Sequence, residues 1–111
     1  AKNGNHLHGI GAAIQKYVES NGLSVVRDLV GHGIGKQMHE SPQIPNFKQP
    51  NRGIRLRPGM TLAIEPMVNF GRYDVHWEDD DWTVVTRDGS LSAHYENTIL
   101  ITEDEPEILS L

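Results

Sequence analysis

Between residues 7 and 20 the apolar positions Leu7, Ile10, Ile14, Tyr17 and Val18 recur at spacings of three and four, which describes one apolar stripe on an amphipathic helix. Asn5 is placed to cap its start, and Asn21-Gly22 supplies the left-handed residue that commonly ends a helix. The β-branched run Ser24-Val25-Val26 then favours an extended strand. From Gly31 to Asn51 neither period persists and Gly, Pro, Asn and His accumulate, so the pattern predicts a long ordered loop. After the turn Arg57-Pro58-Gly59, residues Thr61 to Val68 predict a strand with Leu62, Ile64, Pro66 and Val68 on one face and Thr61, Ala63, Glu65 and Met67 on the other. Further strands are expected over Tyr73 to Glu78, Trp82 to Thr86 and Ala93 to Thr102, with Asp88-Gly89 as the turn between the last two. Glu107 to Leu111 adds a short edge segment or frays.

At 111 residues the chain suits one domain, residues 1–111, of α+β class: one long helix, an antiparallel sheet and a Gly-rich loop. Ten Lys and Arg against fifteen Asp and Glu give a net charge of -5, and the basic residues are scattered rather than gathered into a stripe, so no nucleic-acid partner is expected. No apolar run approaches the roughly 18 residues that a membrane span requires, so a cytoplasmic setting is expected. The chain opens at Ala1 and runs almost at once into the helical pattern, as if preceding sequence had been removed. Cysteine is absent, so a bound metal has to use His, carboxylates, carbonyls or water.

Three positions stand against their surroundings. His32 lies among Gly31, Gly33 and Gly35, whose backbones reach conformations that a side chain forbids. Glu65 occupies a largely apolar strand face, where an ionised carboxylate is costly unless it is paired or metal-bound, and Pro66 beside it withdraws a backbone donor, which implies an edge or a distorted ladder. Glu96 repeats the pattern on a face shared with His94, Thr98 and Leu100, opposite Tyr95, Asn97, Ile99 and Ile101. One His and two Glu suit Mn, Fe, Co or Zn. An incidental loop histidine and solvated glutamates remain the alternatives at this level.

Gly31-His32-Gly33-Ile34-Gly35, then Met38-His39-Glu40 and Pro42, Pro58-Gly59-Met60, Ile64-Glu65-Pro66-Met67, Trp82-Thr83-Val84 and Ser90-Leu91-Ser92-Ala93-His94-Tyr95-Glu96, in this order and spacing, resemble the C-terminal half of type I methionine aminopeptidase. The resemblance runs nearly end to end. It implies one half of the two-halved pita-bread fold, and an enzyme that removes initiator methionine from nascent peptides. It also implies His32, Glu65 and Glu96 as ligands of a two-metal site with Glu96 bridging, His39 beside the scissile peptide, and Trp82 lining the pocket for the substrate's methionine side chain. Met38 stands where the family generally has an aromatic and is expected to line that apolar pocket; Asp81, His94 and Asn97 replace the more usual Gly, Gln and His.

The family's other ligands are two aspartates in the preceding half, so at most one divalent ion, weakly bound, and little or no catalysis are expected of this chain alone. Its expected partners are N-terminal Met peptides in the complete enzyme and either the missing half or a second copy of itself as a homodimer. A self-associating fold fragment without catalysis is the competing reading, and a proline-specific or metal-free relative of the same fold is another. The retained His32, Glu65 and Glu96 argue against the metal-free relative, and the Ser90 to Ala93 approach favours methionine specificity. The acidic run Glu78 to Asp81 reads as a solvated hairpin end.

Overall fold

A computed structural model describes residues 1–80 and 82–110, leaving Asp81 of the acidic run and Leu111 of the edge segment outside the described residues. In chain order the elements are α1 (His8–Ser20), β1 (Ser24–Val25), β2 (Gly31–Ile34), β3 (Glu40–Ile44), β4 (Thr61–Ile64), β5 (Met67–Asn69), β6 (Val75–Trp77), β7 (Val84–Thr86), β8 (Ser92–His94), β9 (Asn97–Leu100) and β10 (Glu107–Ile108). They form a five-stranded sheet of order β10-β9-β4-β2-β3, a three-stranded sheet β1-β5-β8 and the hairpin β6-β7, with every pair antiparallel.

The helix ends where Gly22 takes φ +75°, with the Leu23 N–H on the Val18 carbonyl and the Gly22 N–H on that of Glu19, so its last carbonyls are satisfied by a Schellman arrangement. Its start differs from the sequence reading. Asn5 does not cap it; Leu7 stands at the cap without a side-chain bond, and the first amides are met by a distant backbone, Leu7 N–H on Ile54 and His8 N–H on Arg52. A loop segment distant in sequence thus does the work of a cap. Leu7 and Ile10 enter the core with Ile44, Leu56, Leu62, Ile99 and Ile101, while Tyr17, assigned to the same stripe, is 74% exposed at the far end of the helix.

The expected loop from Gly31 is the largest departure. Its first four residues form β2, an inner strand of the five-stranded sheet, and residues 40–44 fold back on it as β3. A Cβ on Gly31 would fall on the Ala63 carbonyl, and one on Gly33 on the Ser41 carbonyl. Glycine is here a condition of close strand packing, which is why β-propensity misreads the segment.

Two predicted strands are each cut in two. Thr61 to Val68 becomes β4 and β5, interrupted at Glu65-Pro66, and Ala93 to Thr102 becomes β8 and β9, interrupted at Tyr95-Glu96. Ala63 pairs with Thr98 in one sheet and Met67 with His94 in the other, so the register carries across the gap and sets Glu65 opposite Glu96. The Tyr95 N–H to Pro66 carbonyl bond bridges that gap. Pro66 has no N–H to give, and the ladder changes sheets where that donor is missing. The alternation of faces survives the break.

Asp88-Gly89 turns as expected, with Gly89 at φ +75° and the Asp88 carboxylate held near pKa 2 by the Arg72 and Ser90 amides. The β6-β7 hairpin ends in solvent at Glu78 to Asp80. There the Asp80 carboxylate accepts from the Trp82 and Thr83 amides and from the Thr83 hydroxyl, which holds it below its ordinary pKa. Arg27 is packed over the rings of Tyr73, at 4.0 Å, and Phe47, at 5.5 Å, tying the segment after β1 to two loops. Among the described residues no helix is long and apolar enough to cross a membrane.

Candidate metal centre

The sheet junction assembles the site. In the five-stranded sheet His32 is opposite Ala63 and Ala63 opposite Thr98, so their side chains share one face. Ala63, fully buried, carries only a methyl between His32 and Thr98. Two residues further along the same face come Glu65 and Glu96, at the point where both strands leave the sheet. Their carboxylates therefore stand over the end of β4 and β9, next to the His32 ring. One ligand atom from each of His32, Glu65 and Glu96 lies within 4.8 Å of the other two.

Hydrogen bonds fix the chemistry of this triad. His32 Nδ1 is 3.0 Å from the Gly33 carbonyl, which can only accept, so Nδ1 carries the proton. That leaves the Nε2 lone pair 3.0 Å from Glu65 Oε2. Two electron-rich atoms at that distance, with side chains only 14% and 18% exposed, require a proton or a cation between them. Burial first, and the neighbouring Glu96 charge second, raise the Glu65 pKa above its ordinary value, against the opposing pull of His32. A divalent ion would satisfy every one of these groups, and the imidazole-carboxylate set fits a borderline transition metal.

Positioning comes from residues that the sequence reading did not select. Asn46, fully buried, donates from Nδ2 to the Glu65 carbonyl at 3.2 Å and so holds the backbone at the break. An Asn at the end of a predicted loop gave no sign of this. Thr98 was noted only as sharing the Glu96 face, and it lines the site cavity. His94, read as a departure, has Nε2 at 3.8 Å from Glu65 Oε1 and 3.9 Å from Glu96 Oε2.

The loop between β2 and β3 carries the remaining candidates. Its turn is closed by the Gly35 N–H on the Gln37 carbonyl and the Gln37 N–H on Glu40 Oε2, and a Cβ on Gly35 would strike that Glu40 carboxylate. His39 is thereby brought back over the triad, its ring centroid 4.1 Å from that of His32 at an angle of 36°. A cavity of about 480 Å³ is lined by His32, Met38, His39, Glu65, Glu96 and Thr98 among others. Met38 stands at its mouth and is 74% exposed. Trp82 lies elsewhere, in an apolar groove of about 580 Å³ with Met67, Val75, Trp77 and Leu91, and is 79% exposed. The structure brings His32, His39, Met38, Glu65 and Glu96 together and leaves Trp82 outside that cavity.

Comparison with known proteins shows the family and the fold. The pattern of metallopeptidase family M24 matches residues 1–103. A methionine aminopeptidase of Clostridium perfringens is 63% identical over 107 residues, which are 96% of this chain and 43% of that protein. The crystal structure of methionine aminopeptidase from Thermotoga maritima superposes with a TM-score of 0.94 at 55% identity, covering 98% of this chain and 44% of that one. That from Rickettsia prowazekii gives 0.95 at 48% identity, covering 99% and 45%. The chain thus spans less than half the length of these relatives, and its α+β architecture is half of the pita-bread fold.

Proposed function

This chain belongs to metallopeptidase family M24, and we propose that His32, Glu65 and Glu96 hold a divalent transition metal, Mn, Fe, Co or Zn, in the service of removing N-terminal methionine from peptides. The observation that carries the reading is His32 Nε2 set 3.0 Å from Glu65 Oε2, with Glu96 as the third member of the cluster. An ion bound there supplies Lewis acidity, lowering the pKa of a water and polarising a peptide carbonyl. The chain's own groups do the rest. His39, over the triad, donates a hydrogen bond to the oxygen on which charge develops. Met38, at the mouth of the cavity, offers apolar surface to the substrate's side chain, whereas Trp82 stands outside that cavity. Identity of 63% to a methionine aminopeptidase favours methionine specificity over a proline-specific relative.

Titration calorimetry with Co²⁺ at neutral pH tests the ligand set. The parent chain is expected to take up one ion weakly, and His32→Ala to bind at least about tenfold less tightly, since ligand geometry and basicity are lost together. Unchanged binding in the variant would show the triad to be wrongly assigned.

A second copy of the chain is the proposed partner when no other half is present. Trp77, Trp82 and Leu91 are 51%, 79% and 75% exposed around one groove, an apolar patch of a kind that seldom stays bare. A twofold interface covers it on both copies at once. Sedimentation equilibrium at micromolar concentration is expected to give the dimer mass, and a Trp82→Ser variant the monomer mass. A compact monomer for the parent argues for closure of the patch by the chain's own loops.

A further inference from the structure

We propose that His94 is a fourth metal-ligating side chain, which makes the centre of this chain a two-histidine, two-carboxylate site; the proposal rests on the triad assignment above. The register places it. His94 pairs with Met67 across β5-β8, two residues along the same strand face from Glu96 and beside Glu65. Its ring is on the face that carries His32, Glu65, Glu96 and Thr98, and its Nε2 points between the two carboxylates, 3.8 Å from Glu65 Oε1 and 3.9 Å from Glu96 Oε2. Glu65 is thus flanked on both oxygens: Oε2 by His32 and Oε1 by His94.

The distances permit ligation. With bonds of about 2.0–2.2 Å, two ligands of one ion are never more than about 4.4 Å apart. Both His94 separations fall under that limit, while the set whose ligand atoms all lie within 4.8 Å of one another is His32, Glu65 and Glu96, so ligation brings the His94 ring in toward the triad. At 3.8 and 3.9 Å they are too long for hydrogen bonds, so the ring is not occupied by direct bonding to either carboxylate. A side chain 45% exposed at a strand end also keeps the rotamer freedom needed to close on the triad. An imidazole there adds a neutral nitrogen donor to a set that otherwise holds one nitrogen and two carboxylates, which raises affinity for Co²⁺ or Zn²⁺ relative to Mn²⁺.

Co²⁺ titration of the whole chain, followed by calorimetry and visible absorption, decides this together with X-ray absorption of the loaded protein. His94→Gln keeps a polar side chain of similar length at an exposed strand end, and circular dichroism checks its fold. The expected result is about tenfold or greater loss of Co²⁺ affinity, an altered visible spectrum, and a fall from two nitrogen-type imidazole scatterers to one. His32→Ala is run beside it. Loss of binding in His32→Ala with unchanged affinity and spectrum in His94→Gln overturns the role of His94 and leaves the triad standing. A parent chain that takes up no Co²⁺ overturns both.

Discussion

With Co²⁺ or Mn²⁺ supplied, the 111-residue chain is expected to release methionine from a Met-Ala peptide at a rate orders of magnitude below the usual enzymic turnover of about 1 per second or more. Holding nucleophile, carbonyl and free amino group in a reactive arrangement is worth on the order of 7–11 kcal/mol. The proposed ligands gathered among the described residues all come from one side, His32, Glu65 and Glu96 at the sheet junction. Glu96 is 43% exposed and Met38 74%, so the cavity over them stays open to water, which weakens every electrostatic contribution within it. A substrate can therefore approach one ion but is held from one direction only. Release of methionine, followed by mass spectrometry at enzyme-like protein concentration, checks the point. Turnover near 1 per second would mean that the chain, alone or as a dimer, completes an active site.

Gly31→Ala is expected to destabilise the fold by about 3 kcal/mol or more, enough to leave much of the chain unfolded if its stability is near the lower end of the range for domains. The added methyl falls on the Ala63 carbonyl, a backbone atom of β4, and that strand is itself held by β9 on its far side. Neither strand yields without breaking the ladder, and any shift of β2 carries His32 away from Glu65. Gly9→Ala serves as the comparison, because a Cβ there meets nothing and helix propensity favours alanine by up to about 1 kcal/mol. The two substitutions are the same chemical change with opposite expected signs. Urea denaturation midpoints measure both, and a Gly31→Ala midpoint equal to the parent's would show that β2 and β4 are not packed as closely as described.

The pattern of residues along the chain determined what short-range physics can set. The helix and its stop at Gly22 and the turn at Asp88-Gly89 follow from local conformational preference, and both hold in the structure. The oddity of an acid inside an apolar strand was legible for both Glu65 and Glu96 for the same reason: charge against an aliphatic background is visible without knowing the neighbours. So was the fact that His94 shares a face with Glu96. The family resemblance then put His32, His39 and Met38 beside them, and these residues do meet in one cavity.

What the tertiary structure decided is everything that depends on which strand pairs with which. Gly31 to Ile34 has no strand signal of its own, and becomes an inner strand because glycine alone lets β3 and β4 close on it. The amides at the start of α1 find acceptors on Arg52 and Ile54, far along the chain, so the capping rule applied to Asn5 had no purchase. The breaks at Glu65-Pro66 and Tyr95-Glu96 are placed opposite one another by a register running from Thr61 to Asn69 against Ser92 to Leu100, a property of the pair and of neither strand. Hydrogen-bond partners in a sheet are chosen by distant sequence, while conformational preference is spent within a few residues, and a site built at a sheet junction inherits its geometry from the first of these.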